Sequence, residues 1–497
     1  MTRKREKTWR RRLLPVLGKW MAGLALILLL LTPGGASFVS ATPAASNGSS
    51  WLRIRTNLSN SPTVISGYPD MAISDDGNEL AVVWTEGYSS SSGAKHHGRV
   101  YLRWISEDTG FWSPKIAIDN GANSQDDWAR GAAVALRGTT AHVAWVRVRK
   151  NNAYSVWYRS CEFDVTDPWN DECEATTGPF ELESETSDEI SLPDVAVDSN
   201  GNVFVVWVRD NRGIRYREYT ASSWQTVETI SAGSEAKDWP VIGVGGGTVY
   251  AVWIRKYQDA PPQPLWYDVR SRQKNVGAGG WGDINTIYDA DVNNPSRHPQ
   301  IVSSSTLTTT YAIWDTYDEI SEEEKGFRVV YKYFNTDNIL WQPPGYTAWA
   351  GLPDRSTDAV YNASKSIYVP SYAHYLRPAL TLDGEGHLHA VWHYYDIEGD
   401  DYIHQVMYSS ANNPTAGTPT WSEPVVFAEL GGDEDLSAEE RRFTVDNVAA
   451  RIAVGGSAID PHIHVVLMLQ TSSAWDVWYL SNQFYKTMSL PVVTKNY

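Results

Sequence analysis

One short pattern recurs along this chain, and its recurrence limits the fold more than any other feature does. Two apolar runs are separated by turn residues, and the second run ends in tryptophan, as in PDVAVDSNGNVFVVW from Pro193 to Trp207. A pattern repeated at a spacing of this size predicts a solenoid, a propeller or an array of stacked units. The seven copies end at Trp84, Trp145, Trp207, Trp253, Trp314, Trp392 and, in the last unit, Leu467.

Every unit continues with two further β-like runs. A tyrosine marks the third run in all seven units, and the fourth run usually opens with tryptophan, whereas the second unit has Phe180 there. The first two runs are almost continuously apolar, which indicates strands that are covered on both faces. The segments 198–201 and 383–386 supply turn residues between them. Four-stranded units of this kind predict an all-β, seven-bladed β-propeller.

The two ends of the repeat indicate how such a ring closes. The seventh unit has no fourth run after Tyr479, but Trp51 follows two serines just as Trp224 does in the third unit. We therefore expect residues 51–57 to form the outer strand of the last blade. This pairing ties down the chain ends and removes an exposed sheet edge.

The beginning of the chain has the order of a secretory signal peptide. Eight basic residues precede an apolar run at 21–31, and small residues then lead to Ala41, the expected cleavage point. The apolar run is short for a membrane span, and an uncleaved anchor is the alternative. We expect a signal peptide at 1–41, the propeller at 42–481 and a tail at 482–497. The LPVVTKNY ending is open between a surface-retention tag and a strand-like piece packed on the propeller.

The charge balance limits the partners. The formal net charge is −17 for the whole chain, and it becomes more negative once the basic leader is removed. Such acidity argues against binding to nucleic acid or to anionic lipid, because both favour lysine and arginine patches. We expect a monomer that is secreted or at the cell surface, and whose partner is a glycan or an extracellular protein.

Cysteine usage and acidic loops bear on cross-links and metals. Cys161 and Cys173 are the only cysteines, and their close spacing in an exported chain predicts one local disulfide, with two free thiols as the alternative. They do not form a zinc cage, since a second pair is missing. Acidic loops such as YDEISEEEKG predict a solvated rim or a calcium site, and no ligand spacing singles out one loop. We expect no other cofactor.

The repeat also carries a family resemblance. The pattern P-x-[VI]-A-[VI]-D-x-x-G-x-[VL]-x-V-V-W, followed by the tyrosine and tryptophan runs, resembles the sialidase-like (BNR-repeat) propellers of bacterial exported proteins. The resemblance implies the architecture more than an activity. Two motifs depart from the family: residues 74–77 and 198–201 do not meet the Asp-box S-x-D-x-G-x-x-W, and LRIR after Trp51 lacks the aromatic residue and the proline of the F/Y-R-I-P segment.

The resemblance points to the entrance of the central channel as the site. The residues expected just before the inner strands are Tyr68, Arg130, Leu192, Trp239, His298, Arg377 and Ala449. Three arginines clamp a carboxylate in sialidases, and the corresponding candidates here are Arg130, Arg297 and Arg377. Asp70 and Asp194 are candidates for the acid of a glycosidase. Mutual neutralisation of these charges and Asp238 around a wet channel is the alternative.

Aromatic residues and histidines complete the candidates. Trp128 and Trp239 lie beside the expected inner strands and are candidates for stacking on sugar faces. His142, His389 and His464 share one repeat position with aromatic residues, so we interpret them as packing sites and predict no metal site.

The expected function is ligand binding at the channel mouth. The alternatives are a sialidase-like glycoside hydrolase or lyase and a structural surface protein, and because no nucleophile is identifiable, catalysis is open.

Overall fold

We analysed a computed structural model of the chain. The structure describes residues 54–482, except 62–63, 89–97, 120–126, 150–152, 168–172, 187, 211–212, 232, 234–235, 258–265, 289–295, 304–308, 320–324, 336–339, 343–373, 399–400, 413–419, 423, 430–449, 458–459 and 472–473. Ala41, Trp51, Ala449 and the LPVVTKNY tail therefore lie outside the described residues.

The described residues form strands, turns and bends without a helix, and the strands build seven sheets. In blades 1 to 6 the strands follow chain order from the inner strand outwards, whereas in blade 7 the outermost strand is β1 from the beginning of the chain. Blade 1 contains β2 (Ile65–Ile73), β3 (Glu79–Tyr88), β4 (Arg99–Ser106) and β5 (Ile116–Ala117). Blade 2 contains β6 (Asp127–Arg137), β7 (Thr140–Arg149), β8 (Tyr154–Glu162) and β9 (Glu174–Glu185). Blade 3 contains β10 (Ile190–Val197), β11 (Val203–Arg209), β12 (Gly213–Thr220), β13 (Ser223–Trp224) and β14 (Glu228–Thr229).

The remaining blades repeat this arrangement. Blade 4 contains β15 (Ala236–Gly245), β16 (Thr248–Tyr257), β17 (Trp266–Asn275) and β18 (Asn285–Tyr288). Blade 5 contains β19 (Ser296–Ser303), β20 (Thr309–Glu319), β21 (Lys325–Asn335) and β22 (Leu340–Gln342). Blade 6 contains β23 (His374–Leu382), β24 (Leu388–Glu398), β25 (Asp401–Asn412), β26 (Thr420–Trp421) and β27 (Val425–Glu429). Blade 7 contains β28 (Arg451–Ser457), β29 (Asp460–Thr471), β30 (Ala474–Ser481) and β1 (Ile54–Asn57).

The predicted seven-bladed propeller is confirmed. The inner strands contact one another in sequence, and β28 of blade 7 contacts β2 of blade 1, so the ring is closed. The tryptophans that end the second strands are almost completely buried, because apolar clusters join neighbouring blades at these positions. Burying such large side chains is a major source of core stability.

Strand β1 closes the ring from the other end of the chain. It pairs antiparallel with β30, with Ile54 opposite Ser481 and Asn57 opposite Trp478. Asp476 is buried and accepts hydrogen bonds from the Ser59 hydroxyl at 2.7 Å and the Ser61 amide at 3.0 Å. The closing segment is therefore fixed by side chains as well as by the strand ladder.

A basic residue on the third strand links most blades to the preceding one. On the second strand, the residue opposite it lies two positions before the repeat tryptophan. The basic side chain donates a hydrogen bond to a backbone carbonyl near the fourth strand of the preceding blade. We call this contact the interblade latch. The five latches are Arg103 Nη1 to Leu58 O (3.3 Å), Arg159 Nη1 to Ile118 O (3.1 Å), Arg217 Nη1 to Leu182 O (2.5 Å), Arg272 Nη1 to Ile230 O (2.9 Å) and Lys332 Nζ to Ile287 O (2.7 Å).

The repeated histidines lie in the core. The Nδ1 atom of each forms a hydrogen bond to a third-strand tyrosine hydroxyl: His142 to Tyr158 at 2.7 Å, His389 to Tyr408 at 2.7 Å and His464 to Tyr479 at 2.6 Å. Burial lowers the pKa of His142 to about 4 and that of His464 to about 3, so both rings are neutral at pH 7. These contacts agree with the packing role.

A disulfide joins two strands of blade 2. Cys161 lies on β8, and Cys173 immediately precedes β9. The Cys161 side chain is buried in the cluster shared by blades 1 and 2. The bond therefore anchors the long connection between the third and fourth strands.

Candidate functional site

A repeated β-bulge shapes one end of the central channel. In six inner strands, two residues lie opposite the single repeat tryptophan of the second strand, which continues beyond that tryptophan in every blade. The first of the two has a positive φ angle, which is unfavourable for residues other than glycine. These residues are Tyr68 (φ 53°), Gly131 (53°), Leu192 (50°), Trp239 (46°), His298 (46°) and Arg377 (51°). Bulges redirect side chains and are frequent beside active sites, so this end, the channel mouth, is the candidate site.

The bulge corrects the expected position of these residues. They were expected before the inner strands begin, but Tyr68, His298 and Arg377 lie inside β2, β19 and β23. In five units the next residue is proline, for example Pro69 and Pro299, which lacks a backbone donor and is therefore suited to a bulge. The bulge interrupts the alternation of apolar residues. The sequence pattern therefore did not predict that the residues before the bulge belong to the inner strand.

The three candidate arginines do not share one position. Arg377 is at the bulge, whereas Arg130 and Arg297 lie one residue before it in their own strands, since Gly131 and His298 occupy the bulge. Neighbouring residues of a strand point to opposite faces. The sequence alignment that placed Arg130 beside Arg377 was therefore wrong by one residue.

Arg130 is held by the neighbouring blade. Its Nη2 donates to Glu189 Oε1 at 2.5 Å and to the carbonyl of Ile190 at 3.2 Å, and its guanidinium lies 5.4 Å from the ring centroid of Tyr154. These contacts connect blade 2 to blade 3. The charge of Arg130 is thus paired before any ligand arrives.

A compact polar cluster spans blades 4, 5 and 6 at the mouth. The Trp239 and His298 rings have centroids 4.8 Å apart, and the His298 Nδ1 atom lies 2.8 Å from an Asp315 carboxylate oxygen. Arg377 and Arg297 are close enough for their charges to act on the imidazole of His298. We call Trp239, His298, Arg297, Arg377 and the underlying Asp315 the mouth cluster.

Burial and charge together set the protonation of His298. Burial lowers its pKa below the ordinary value of 6.5, and Arg377 and Arg297 lower it further, while the Asp315 carboxylate opposes the shift. Asp315 is fully buried, and it orients the imidazole through Nδ1. A neutral ring held in this way keeps Nε2 as the nitrogen directed away from Asp315.

Asp238 and Lys256 flank the mouth cluster on blade 4. The Asp238 carboxylate accepts from Lys256 Nζ at 2.5 Å and from the amide of Trp239 at 3.0 Å. Lys256 Nζ also lies 4.8 Å from the Trp239 ring centroid. The Trp239 ring is therefore already in contact with Lys256 and His298, and it supports the cluster more than it offers a free stacking face.

Deeper in the channel, five polar side chains line a cavity of about 210 Å³: Asp70, Asp194, Gln300, Thr381 and Arg451. Asp70 accepts from Arg451 Nε at 2.9 Å and from the amide of Val134 at 2.8 Å. Asp194 accepts from the amide of Ile242 at 2.7 Å, and Gln300 also lines this cavity. Burial, with the nearby charge of Asp70, raises the pKa of Asp194 to about 7. Both aspartates tie their blade to the next one.

The sequence reasoning missed Asp315. It follows the repeat tryptophan of unit five directly, where the other described units have Thr85, Val146, Val208, Ile254, His393 and Met468. A carboxylate at this otherwise mostly apolar position indicates a buried charge, which needs a polar partner. Trp128 lies on β6 and packs partly buried against the cluster shared by blades 2 and 3, so it is outside the mouth cluster.

Within the described residues, no group of three or more histidine, cysteine, aspartate or glutamate side chains is arranged to hold a metal ion. Among the same residues, no helix is long and apolar enough to cross a membrane.

Known proteins resemble this chain in structure only. No protein-family model matches it, and no curated protein matches its sequence. A solved ulvan lyase of polysaccharide lyase family PL25 is 9% identical over 83% of this chain and 96% of its own, with a TM-score of 0.46. A protein of unknown function from Dyadobacter fermentans is 10% identical over 86% and 97%, with a TM-score of 0.40.

A sialidase is also similar. The Trypanosoma rangeli sialidase is 8% identical, covers 84% of this chain and has a TM-score of 0.39, and the match spans 55% of the sialidase. At such identities the likeness concerns the fold and says nothing about activity.

Proposed function

We propose that this protein is an exported binding module whose channel mouth holds an acidic glycan. The observation that carries the proposal is the geometry of the mouth cluster: Asp315 holds the partly buried His298 through Nδ1 at 2.8 Å, the Trp239 ring packs 4.8 Å from it, and Arg377 occupies the equivalent bulge position of the next blade. The guanidinium groups suit a carboxylate because they present paired donors in a fixed plane. The leader sequence supports export, and the ligand class follows from the local charge.

We expect the charge of the arginines, more than stacking on aromatic rings, to determine which glycan binds. The chain is strongly acidic overall, so an anionic ligand is repelled at long range and needs a local cationic site. The mouth cluster supplies Arg297 of blade 5 and Arg377 of blade 6 as cationic groups, and it does not include Arg130, which lies on blade 2 and pairs with Glu189. A uronic-acid oligosaccharide fits this chemistry, since each sugar carries one carboxylate.

The proposal is tested by calorimetry with an oligogalacturonate and its carboxyl-reduced neutral counterpart. Losing a charge-assisted arginine contact costs about 1.5 to 3 kcal/mol, so Arg377→Ala should weaken the acidic ligand roughly tenfold to a hundredfold. Arg130→Ala is the matched control, and it should change affinity less than about twofold. Equal binding of both oligosaccharides, or equal losses in both variants, would refute an acidic-glycan site at the mouth.

A second candidate function, β-elimination on the bound glycan, is favoured by the His298 and Asp315 pair. A neutral imidazole oriented by a buried carboxylate is suited to accept a proton. The proton on the carbon next to the ligand carboxylate would pass to Nε2 of His298, and its bonding pair would form a carbon–carbon double bond. The glycosidic C–O bond on the next carbon would break with its electron pair going to the oxygen, and the leaving oxygen would take a proton from water.

The arginines serve this candidate too, because pairing the carboxylate with Arg377 stabilises the charge that develops beside it. The new conjugated double bond absorbs in the ultraviolet, so turnover of oligogalacturonate is directly visible. His298→Gln should abolish turnover while calorimetry still detects binding. Binding by the native protein without any absorbance change would leave the binding module and exclude elimination of this substrate.

A further inference from the structure

In the part of the chain that the structure describes, the interblade latch is missing on both sides of blade 6. At the latch position the third strand of blade 6 has Ser409, opposite Ala390, and that of blade 7 has Leu480, opposite Val465. The Ser409 hydroxyl donates to the carbonyl of Ser422 in its own blade at 2.8 Å. Leu480 has no side-chain donor. Ser409 of blade 6 therefore makes no latch to blade 5, and Leu480 of blade 7 makes none to blade 6. The other five interfaces between blades each have one.

Apolar packing connects blade 6 to its neighbours. Tyr331 of blade 5 meets Trp421 of blade 6 edge-on, with ring centroids 5.4 Å apart, and further apolar clusters join blade 6 to both neighbours. Such contacts have little directional preference, whereas a latch fixes an arginine or lysine on one carbonyl oxygen. Among the described residues, blade 6 is therefore the one blade that has no latch to either neighbour.

The mouth cluster crosses one of these two interfaces. His298 and Arg297 belong to β19 of blade 5, whereas Arg377 belongs to β23 of blade 6. A carboxylate bound by Arg377 beside His298 would connect blade 5 to blade 6 at the channel, on an interface that lacks its latch. Ligand binding and blade docking would then share the same contacts.

We infer that blade 6 opens locally more often than the latched blades, and that an acidic ligand at the mouth holds it in place. The ligand half of this inference rests on the proposed function, and the opening half does not. If only the docked blade binds ligand, ligand at a hundred times its Kd slows exchange through the open state about a hundredfold. Blade opening exposes strand amides to solvent, so hydrogen exchange measures it.

Hydrogen exchange with mass spectrometry tests both halves on the full chain. Peptides from β23–β25 should exchange roughly tenfold faster than peptides from β10–β12, the value of one lost directional bond. Arg217→Gln removes the latch of blade 3 and should bring β10–β12 close to the exchange rate of blade 6. Arg272→Gln makes the same comparison in blade 4 if the first variant does not fold.

Repeating the exchange experiment with ligand distinguishes the opening of blade 6 from its coupling to ligand binding. Saturating oligogalacturonate should slow exchange in blade 6, and it should leave blade 3 of Arg217→Gln unprotected because the mouth cluster does not reach that interface. Blade 6 exchanging no faster than blade 3 in the native protein would overturn the opening. Ligand that binds by calorimetry without protecting blade 6 would overturn the coupling, whereas absence of binding would overturn the proposed function and leave the opening standing.

Discussion

Replacing Asp476 by alanine is expected to lower the free energy of unfolding by about 3 to 5 kcal/mol, because this carboxylate holds the ring closed. Asp476 is only 3% exposed, and it accepts from Asn57 Nδ2 at 3.0 Å, Ser59 Oγ at 2.7 Å and the Ser61 amide at 3.0 Å. Each hydrogen bond to a charged group contributes about 1.5 to 3 kcal/mol. Water entering the vacated site recovers part of the sum, which gives the lower total.

The assay is urea unfolding followed by tryptophan fluorescence, with Asp476→Asn as an intermediate variant that keeps acceptor oxygen. Asp164→Ala is the control, because the Asp164 carboxylate accepts local hydrogen bonds from the amide and hydroxyl of Thr166 in an exposed turn, and the midpoint of this variant should match the native protein. If Asp476→Ala unfolds at the same urea concentration as this control, the closing segment does not stabilise the ring, and the explanation of closure fails.

Two further predictions concern the cross-link and the channel. The bond between Cys161 and Cys173 closes a loop with a sequence separation of 12, so replacing both by serine should cost about 3 kcal/mol, and alkylation of either thiol without reductant would count against the bond. The folded pKa of Asp194 is raised to about 7 from 3.8, so the folded state retains this proton longer and stability falls as pH rises from about 4 to 7. Asp194→Asn should therefore raise the free energy of unfolding by about 2 kcal/mol at pH 8 and hardly at all at pH 4. This gain is roughly half of what the full pKa shift would give, because the side chain lines a channel. Equal gains at both pH values would contradict the prediction.

The sequence was sufficient for the blades because each blade consists of neighbouring strands joined by short turns. The tryptophan of the second strand and the tyrosine of the third recur at fixed places, and apolar runs covered on both faces are typical of stacked sheets. The pattern before Trp224 also matched that before Trp51, and strand β1 (Ile54–Asn57), inside the predicted segment 51–57, completes the last blade. Local pairing rules therefore determined the architecture.

The site was harder to predict because it depends on register. Gly131 occupies the bulge of blade 2, so Arg130 is displaced by one residue from Arg377, and a shift of one residue moves a side chain to the other face of a strand. Asp315 contacts His298 across two strands, and no spacing within one strand reveals that pair.

The latches were also invisible in the sequence. Arg159 and Arg217 follow the third-strand tyrosines and look like ordinary surface charges in a polar and apolar alternation. Ser409 and Leu480 follow their tyrosines in the same way, but the sequence does not show that a basic side chain at this position reaches a carbonyl of the preceding blade. Contacts between blades join residues far apart in the chain, and one repeat unit contains no information about its partner.

The pKa of His298, measured by NMR on histidine-labelled protein with and without oligogalacturonate, tests the acidic ligand site most directly. His298→Gln identifies the resonance, and the carboxyl-reduced oligosaccharide is the control. In the free protein the charges of Arg377 and Arg297 help to hold this pKa below 6.5. A bound carboxylate cancels part of that field, so we expect the pKa to rise with the acidic ligand and to stay unchanged with the neutral one. An acidic oligosaccharide that binds and leaves the pKa of His298 unmoved would place its carboxylate elsewhere and contradict the proposed site.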